Sequence, residues 1–328
     1  MTAAWVLLAT VTVVVCVQLV LAALVAAGRD GGPLMAVWVG FSPLLLQSGW
    51  VALAGALAAG VLSGQWLVAA PVAMTSAITG VIGVRTWWMA SAPAETRPDE
   101  FDGRPGAGLR VITANVFYRN ANAASAWDVL AAATPDVVVL QEISATSGSW
   151  LPPAGWHCVS VVREDAFGSA ILSRTPFIAS STFELVGLPQ IRAVIRHEGR
   201  EVVVYCVHPA APAGRGADVR WRRQFAELTQ RLTREPPGPV VVGGDFNATP
   251  LHRPFRDLLT ESGFRDARPR RRSLFATWPS GGAGSPLGVP RVMSLDHVLV
   301  RGAGVRSADL LPPTSGDHLP VAVDIALD

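Results

Sequence analysis

The stretch from Pro239 to Asn247 reads Pro-Val-Val-Val-Gly-Gly-Asp-Phe-Asn and ends on two side chains that can do chemistry, Asp245 and Asn247. Two residues apart in extended chain, they project from one face, so a carboxylate and an amide converge on one small volume. Such a pair can orient a water and the phosphoryl group that it attacks. The plainer alternative is an Asx turn in which both bond local backbone. Comparable residues recur at the ends of other expected strands. Asn115 ends the first and Glu142 the second; His208 ends the strand before Asp245; Asp296 opens a later strand; Asp317 and His318 precede the last. One such residue is usually a cap or a satisfied core polar group, but strand ends are where α/β folds build sites.

The elements that must position these residues follow from periodicity. Strands are expected at Leu109–Val116, Asp136–Ile143, Cys158–Val162, Ser169–Leu172, Ile191–Arg196, Val202–His208, Ser294–Val300 and Pro320–Leu327. Helices are expected at Ala123–Ala133, at Ala217–Arg234 with Trp221, Phe225, Leu228 and Leu232 on its apolar stripe, and near Pro254–Ser262. Many strands with few helices between them give an α/β fold with a two-layer sheet core flanked by helices. This domain runs over 109–328, behind a Pro-, Gly- and charge-rich linker at 91–108.

The first 90 residues are of another kind. The hydrophobic fraction is 50%, the charged fraction 16% and the mean hydropathy +0.35, and the apolar excess lies in this region. Ala3 to Ala27 is 25 residues without charge, and Gly31 to Val84 is a further 54. A bilayer crossing takes about 20 apolar residues, so three transmembrane helices are expected, near 3–27, 34–62 and 66–88. The first stretch lacks a basic n-region and exceeds the ~7–15 apolar residues of a signal peptide. Arg29, Arg85 and Arg97 then share the side of the carboxy-terminal domain. Counted literally, the positive-inside rule makes that side cytoplasmic, although long domains translocate regardless of such charges.

All 27 basic residues are Arg. From Ser91 onward 25 Arg stand against 24 Asp and Glu, which is no nucleic-acid footprint. Three cysteines make no disulfide framework, and Cys158 and Cys206 could pair only if the fold brings them together.

Asn115 in Thr-Ala-Asn-Val, Gln141-Glu142, Val207-His208, Gly244-Asp245-Phe246-Asn247, Leu295-Asp296-His297 and Gly316-Asp317-His318-Leu319-Pro320 together resemble the endonuclease/exonuclease/phosphatase superfamily. The resemblance covers the chain from Leu109 to its end and implies a deoxyribonuclease I-like sandwich. The amino-terminal spans, His-Pro-Ala-Ala-Pro after a strand and Thr-Trp-Pro before the final motifs look like its membrane-anchored bacterial members, related to the teicoplanin-resistance protein VanJ. Those display the domain outside the cell, so the resemblance implies an extracytoplasmic domain against the literal charge count.

The roles implied are specific. Glu142, with Asn115 and Asp317, would hold Mg²⁺, a hard cation that takes oxygen ligands; the same ligands suit Mn²⁺. Asp245 would orient or deprotonate water while Asn247 bonds a phosphoryl oxygen. His318 would donate to the phosphate, with Asp296 fixing its ring. His208 would approach from the opposite side or protonate the leaving oxygen. His297, next to Asp296 in its strand, points the other way and is assigned a structural part. Where the membrane-anchored relatives have a glycine-rich approach to Thr-Trp-Pro, this chain departs with Arg270, Arg271 and Arg272, which would bind a second phosphate or sit in solvent. The expected activity is hydrolysis of a phosphate ester or diphosphate at the bilayer, on a polyprenyl diphosphate or phospholipid. A tethered nuclease and a non-catalytic phosphate-binding module are the alternatives.

Overall fold

The computed structural model describes residues 2–26, 31–64, 66–91, 107–120, 123–145, 154–268, 275–280 and 291–327. It divides into two compact units, Met1–Ser91 with Ala213–Asp218, and Ala92–Pro212 with Val219–Asp328.

The first unit is helical: α1 (Thr2–Ala26), α2 (Pro33–Leu45), α3 (Ser48–Ser63) and α4 (Trp66–Ser91). Two stretches are long and apolar enough to cross a membrane, Trp5–Leu24 and Trp66–Arg85. The single helix expected at 34–62 is corrected to α2 and α3, which at ~1.5 Å per residue span only about 20 and 24 Å. A backbone bond is already missing just before the break. Pro43 lacks the amide that would bond the Val39 carbonyl, and the Ser42 hydroxyl donates to that carbonyl instead, at 2.8 Å. The chain then tightens at Leu46 and Gln47, where Gly49 N donates to Leu46 O and Trp50 N to Gln47 O, both at 3.1 Å. Gln18 of α1 closes the gap: its Nε2 donates to Leu45 O and to Ser48 Oγ, each at 3.0 Å.

Among the described residues, the second unit holds twelve strands in two six-stranded mixed sheets. The first sheet has the order β11-β12-β1-β2-β4-β3, from β1 (Ala107–Asn115), β2 (Val137–Gln141), β3 (His157–Val161), β4 (Ser169–Ser173), β11 (Gly304–Leu310) and β12 (Val321–Leu327). The second has the order β5-β6-β7-β8-β10-β9, from β5 (Phe177–Leu185), β6 (Leu188–His197), β7 (Arg200–Val207), β8 (Val240–Asp245), β9 (Arg265–Asp266) and β10 (Asp296–Arg301). Each sheet has one parallel pair at its centre, β1 with β2 and β7 with β8.

Strand parity sorts the side chains into layers. Leu109, Val111, Val137 and Val139 face Val202, Val204, Val241 and Val298 in the core between the sheets. The alternate residues Ile112, Ala114, Val138 and Leu140 pack on Ala126 and Leu130 of α5 (Ala123–Ala132). Tyr205, Val240 and Val242 pack on Trp221, Phe225, Leu228 and Leu232 of α6 (Ala217–Thr233), with Phe255 and Leu258 of α7 (Arg253–Ser262). The amphipathic stripe read from the sequence is therefore the buried face of α6. The result is a four-layer α/β sandwich.

Three strands escape the periodicity reading. β5 is exposed along most of its length, so no apolar alternation marks it. β11 carries a bulge between Val305 and Ser307 that breaks its period. β9 is only two residues long.

Gly244 is fixed by close approach: a Cβ there would lie 2.0 Å from the Val207 carbonyl oxygen. We expect Gly244→Ala to cost about 1–3 kcal/mol, the range for overpacking a core, while Ser181→Ala on exposed β5 stays within about 0.5 kcal/mol. Denaturant unfolding followed by tryptophan fluorescence checks both.

Candidate active site

The inward parity that builds the core runs on to the strand ends and becomes polar there. β1 continues from Leu109 and Val111 through Thr113 to Asn115, and β8 from Val241 through Gly243 to Asp245. Parallel pairing sets Asn115 opposite Gln141, and antiparallel pairing sets Asp296 opposite Asp245. In the parallel β7–β8 pair Val207 lies against Gly244, so His208 follows alongside Asp245. Glu142 leaves β2 with φ of 60° and Asn247 leaves β8 with φ of 48°. This left-handed backbone is uncommon outside glycine, although Asn tolerates it, and it clusters at functional sites.

Asn115 is the hub. Its Nδ2 donates to Glu142 Oε1 at 2.9 Å and to Asp245 Oδ2 at 3.0 Å, while its Oδ1 accepts from Phe117 N at 3.0 Å. Glu142 Oε2 accepts from Tyr118 N at 3.1 Å. Asp245 Oδ1 accepts from Asn247 N at 2.8 Å. The Asx turn expected as the plainer alternative therefore exists, and it uses one oxygen while the other faces the site. That Oδ2 lies 3.6 Å from His208 Nε2 and 3.7 Å from His318 Nε2. Both gaps are too long for direct hydrogen bonds, so two imidazole edges flank one carboxylate oxygen without closing on it.

His318 is held by Asp296, whose Oδ2 lies 2.7 Å from His318 Nδ1. Burial works against the charge on this imidazole, but the negative charges of Asp296 and Asp245, the Asp296 hydrogen bond and the charge of Asp317 outweigh it and raise its pKa to about 10. Asp317 Oδ2 accepts from Trp278 Nε1 at 3.2 Å. Asn247 donates Nδ2 to Pro209 O at 3.0 Å and places it 3.4 Å from His208 Nε2.

The expected site residues Asn115, Glu142, His208, Asp245, Asn247, Asp296 and His318 thus meet in one place. Asp317 stands beside them, tied to Trp278. Arg270 and Arg271 lie outside the described residues. His297 points to the opposite face, with Nδ1 2.9 Å from Asp266 Oδ2 and Nε2 2.9 Å from Ala248 O. Asp266 also pairs with Arg268 at 2.6 Å; despite burial, Arg268 and His297 hold its carboxyl well below the usual range. Cys158 and Cys206 are free thiols in different sheets, and burial pushes the Cys206 thiol up to about 12.

Supporting residues are absent from the sequence reading. Thr277 Oγ1 accepts from Leu295 N at 3.0 Å and Asp296 N at 3.2 Å, fixing the start of β10. Gln190 Oε1 accepts from His208 N at 2.6 Å. Thr277 and Trp278 belong to the Thr-Trp-Pro motif, which signalled a resemblance without a role. Gln190 is a buried polar residue in a strand and carries no such signal.

The chain belongs to the endonuclease/exonuclease/phosphatase family, whose sequence model matches residues 112–318. Members of this family are hydrolases acting on phosphoester bonds and generally use divalent metals. The chain is similar to a UPF0294 protein of Vibrio vulnificus (strain CMCP6), 27% identical over 237 residues that cover 67% of this chain and 77% of the relative. It resembles in fold the D. rerio TDP2 structure complexed with single strand DNA product, with a TM-score of 0.54 at 18% identity over 66% of this chain and 98% of that one. A family protein from Bacteroides thetaiotaomicron gives a TM-score of 0.53 at 18% identity, covering 69% of this chain and 100% of that one. At these identities the two structures speak for the fold alone.

The residues fit a divalent cation. Glu142, His208 and Asp245 offer ligand atoms all within 4.8 Å of one another. Around them, Asp245, Asp296 and Glu142 bring three carboxylates against the one raised imidazole of His318. Asp296 Oδ1 and Asp317 Oδ1 are buried without a hydrogen-bond partner among the described residues. Carboxylates in such excess, with Asp245 and Asp296 buried, call for a compensating cation, and oxygen donors suit Mg²⁺ or Mn²⁺.

In metal-free protein, ¹⁵N NMR of the His318 ring should show imidazolium across neutral pH, losing its proton near pH 10. Because the folded value is raised, stability drawn from this charge is full below the ordinary 6.5 and is lost as pH rises through about 10. Asp296→Asn should return the titration toward 6.5 and narrow that window.

Proposed function

We propose that this chain is a membrane-anchored, divalent-metal-dependent phosphoesterase that hydrolyses a phosphate ester or diphosphate of a lipid-linked substrate by in-line attack of water. The observation that carries the reading is the shared target of His208 and His318, whose Nε2 atoms flank Asp245 Oδ2 at 3.6 and 3.7 Å. A phosphoryl group and a water placed there meet a base and two donors at once.

Asp245 orients the water and takes its proton. His318, charged through Asp296, donates from Nε2 to a phosphoryl oxygen and stabilises the negative charge that builds on it. Asn247 adds its amide to another phosphoryl oxygen. His208, on the other flank, donates to the phosphate or protonates the leaving oxygen. Glu142, close to Asp245, would hold the metal, with Asn115 and Asp317 as further oxygen donors. When bound, the cation supplies charge neutralisation and polarisation of the phosphoryl oxygen.

The lipid-linked substrate is supported by two helices of membrane length on the same chain and by a catalytic region without a basic excess. In this reading α1 and α4 each cross the bilayer, while α2 and α3 form one broken crossing. Broken helices are tolerated at membrane depth where protein covers them, and Gln18 covers this break. Resemblance to the VanJ-related members favours three passes and an extracytoplasmic catalytic domain. A tethered nuclease is the second reading, favoured by the likeness in fold to a TDP2 that was solved with a single-stranded DNA product.

Phosphate release from a C55 polyprenyl diphosphate in detergent, set beside plasmid nicking, separates the two. With full-length protein we expect Mg²⁺-dependent release that EDTA abolishes, without nicking. Loss of the charged donor in His318→Ala should cost about 10²–10³-fold in kcat. Nicking without phosphate release would replace the lipid substrate with nucleic acid.

A further inference from the structure

The reading above gives His208 a task that depends on the direction of its ring, yet little holds that ring. Its backbone is fixed through Gln190. Its Nδ1 is buried and has no hydrogen-bond partner among the described residues, whereas the corresponding nitrogen of His318 is anchored by Asp296. Its Nε2 comes no closer than 3.4 Å to Asn247 Nδ2, at the weak limit of a hydrogen bond.

What packs against the ring is Phe167, with ring centroids 5.5 Å apart and planes inclined at 42°. Phe167 sits in the loop between β3 and β4, and that loop is locally braced. Arg163 grips Asp165 with both arms of its guanidinium, Nε to Oδ1 at 2.7 Å and Nη2 to Oδ2 at 2.6 Å. Asp165 Oδ1 in turn accepts from Phe167 N at 3.0 Å. A bidentate fork of this kind fixes direction as well as distance. On the other side, Gly168 lies so close to Ile143 that a Cβ would fall 1.8 Å from the Ile143 carbonyl oxygen, and Gly168 O accepts from Ile143 N at 3.2 Å. The phenyl ring is therefore presented between two fixed points, half-buried beside an imidazole that lacks a polar anchor.

We infer that Phe167, presented by the Arg163–Asp165 fork, is the positioning residue of His208, holding its Nε2 toward Asp245 by packing where His318 is held by a carboxylate. The inference rests on the proposed hydrolase reading for its consequence in turnover, though not for its geometry. Phe167 is partly exposed and its loop is short, so truncation leaves the core intact.

The test uses full-length protein in detergent, C55 polyprenyl diphosphate as substrate, and the variants Phe167→Ala, Phe167→Leu, His208→Ala and the Phe167→Ala/His208→Ala double. Misplacing a reacting group by about 1 Å can cost up to about 10²-fold. Phe167→Ala should therefore lower kcat by about 10-fold or more with KM within about threefold, and Phe167→Leu should recover most of it. The double variant should be no slower than His208→Ala alone, because a residue acting only through His208 has nothing left to position. Independently of turnover, the His208 ring resonances in ¹H–¹³C NMR should shift and broaden in Phe167→Ala while those of His318 stay in place. Additive losses in the double variant, a change confined to KM, or unmoved His208 resonances would each overturn the inference. A wild type without phosphate release would remove the proposed substrate instead, and the NMR comparison would still decide the role of Phe167.

Discussion

The second unit depends on one amide. Asn115, at the end of a strand in the first sheet, donates both hydrogens of Nδ2 to carboxylates, one on Glu142 in its own sheet and one on Asp245 in the other. Two like charges this close, one of them buried, need something positive or polar between them. A single neutral side chain offers only partial relief. The rest follows from that shortage. Antiparallel pairing sets Asp296 opposite Asp245 and adds a third carboxylate, which drives His318 to hold its proton. The remaining negative charge suits the site to a hard cation.

Holding those charges together demands rigidity. Glu142 and Asn247 adopt left-handed backbone, at a cost of order 1–3 kcal/mol each for residues other than glycine. Such strain persists where the surroundings over-determine it. Here the surroundings are the inter-sheet core and the two helix-facing cores, whose residues are almost wholly excluded from water. The central strands β1, β2, β7 and β8 carry the core along their length, and the site sits at strand ends and in the residues just beyond them. Stability and chemistry are thereby separated along the strand axis.

This separation explains what the sequence reveals and what it hides. Runs such as Val240-Val-Val and Val137-Val-Val announce buried strands, and parity carries the reading outward to Asn115, Asp245 and Asp296. His208 and His318 are legible as polar residues terminating or preceding such runs. What stays hidden depends on tertiary contact. β5 pairs along β6 with both faces largely in water, so its sequence lacks a period. Gln190 and Thr277 look like ordinary polar residues until the fold sets them against His208 N and Asp296 N. The broken helix at Leu46 and Gln47 is hidden for a related reason. Pro43 alone is compatible with a kinked membrane span, and only the reach of Gln18 to Leu45 O and Ser48 Oγ shows that the break is stabilised.

The two histidines at the site show how one chemical group is given two characters. His318 has a carboxylate on Nδ1, which fixes its tautomer, its direction and its charge together; it suits the steady electrostatic support of an anion. His208 lacks that partner and keeps its direction through its backbone, packing on Phe167 and a weak contact with Asn247. A ring with no carboxylate on Nδ1 is not committed to one tautomer, which suits a group that would donate to a leaving oxygen in each turnover. The asymmetry follows from the topology. Residues before β12 lie beside β10, whose first residue is Asp296, whereas residues after β7 look toward the β3–β4 loop, which presents a phenyl ring in place of a carboxylate. A phosphoryl group beside them would meet a ring anchored by a carboxylate on one side and a ring held by packing on the other.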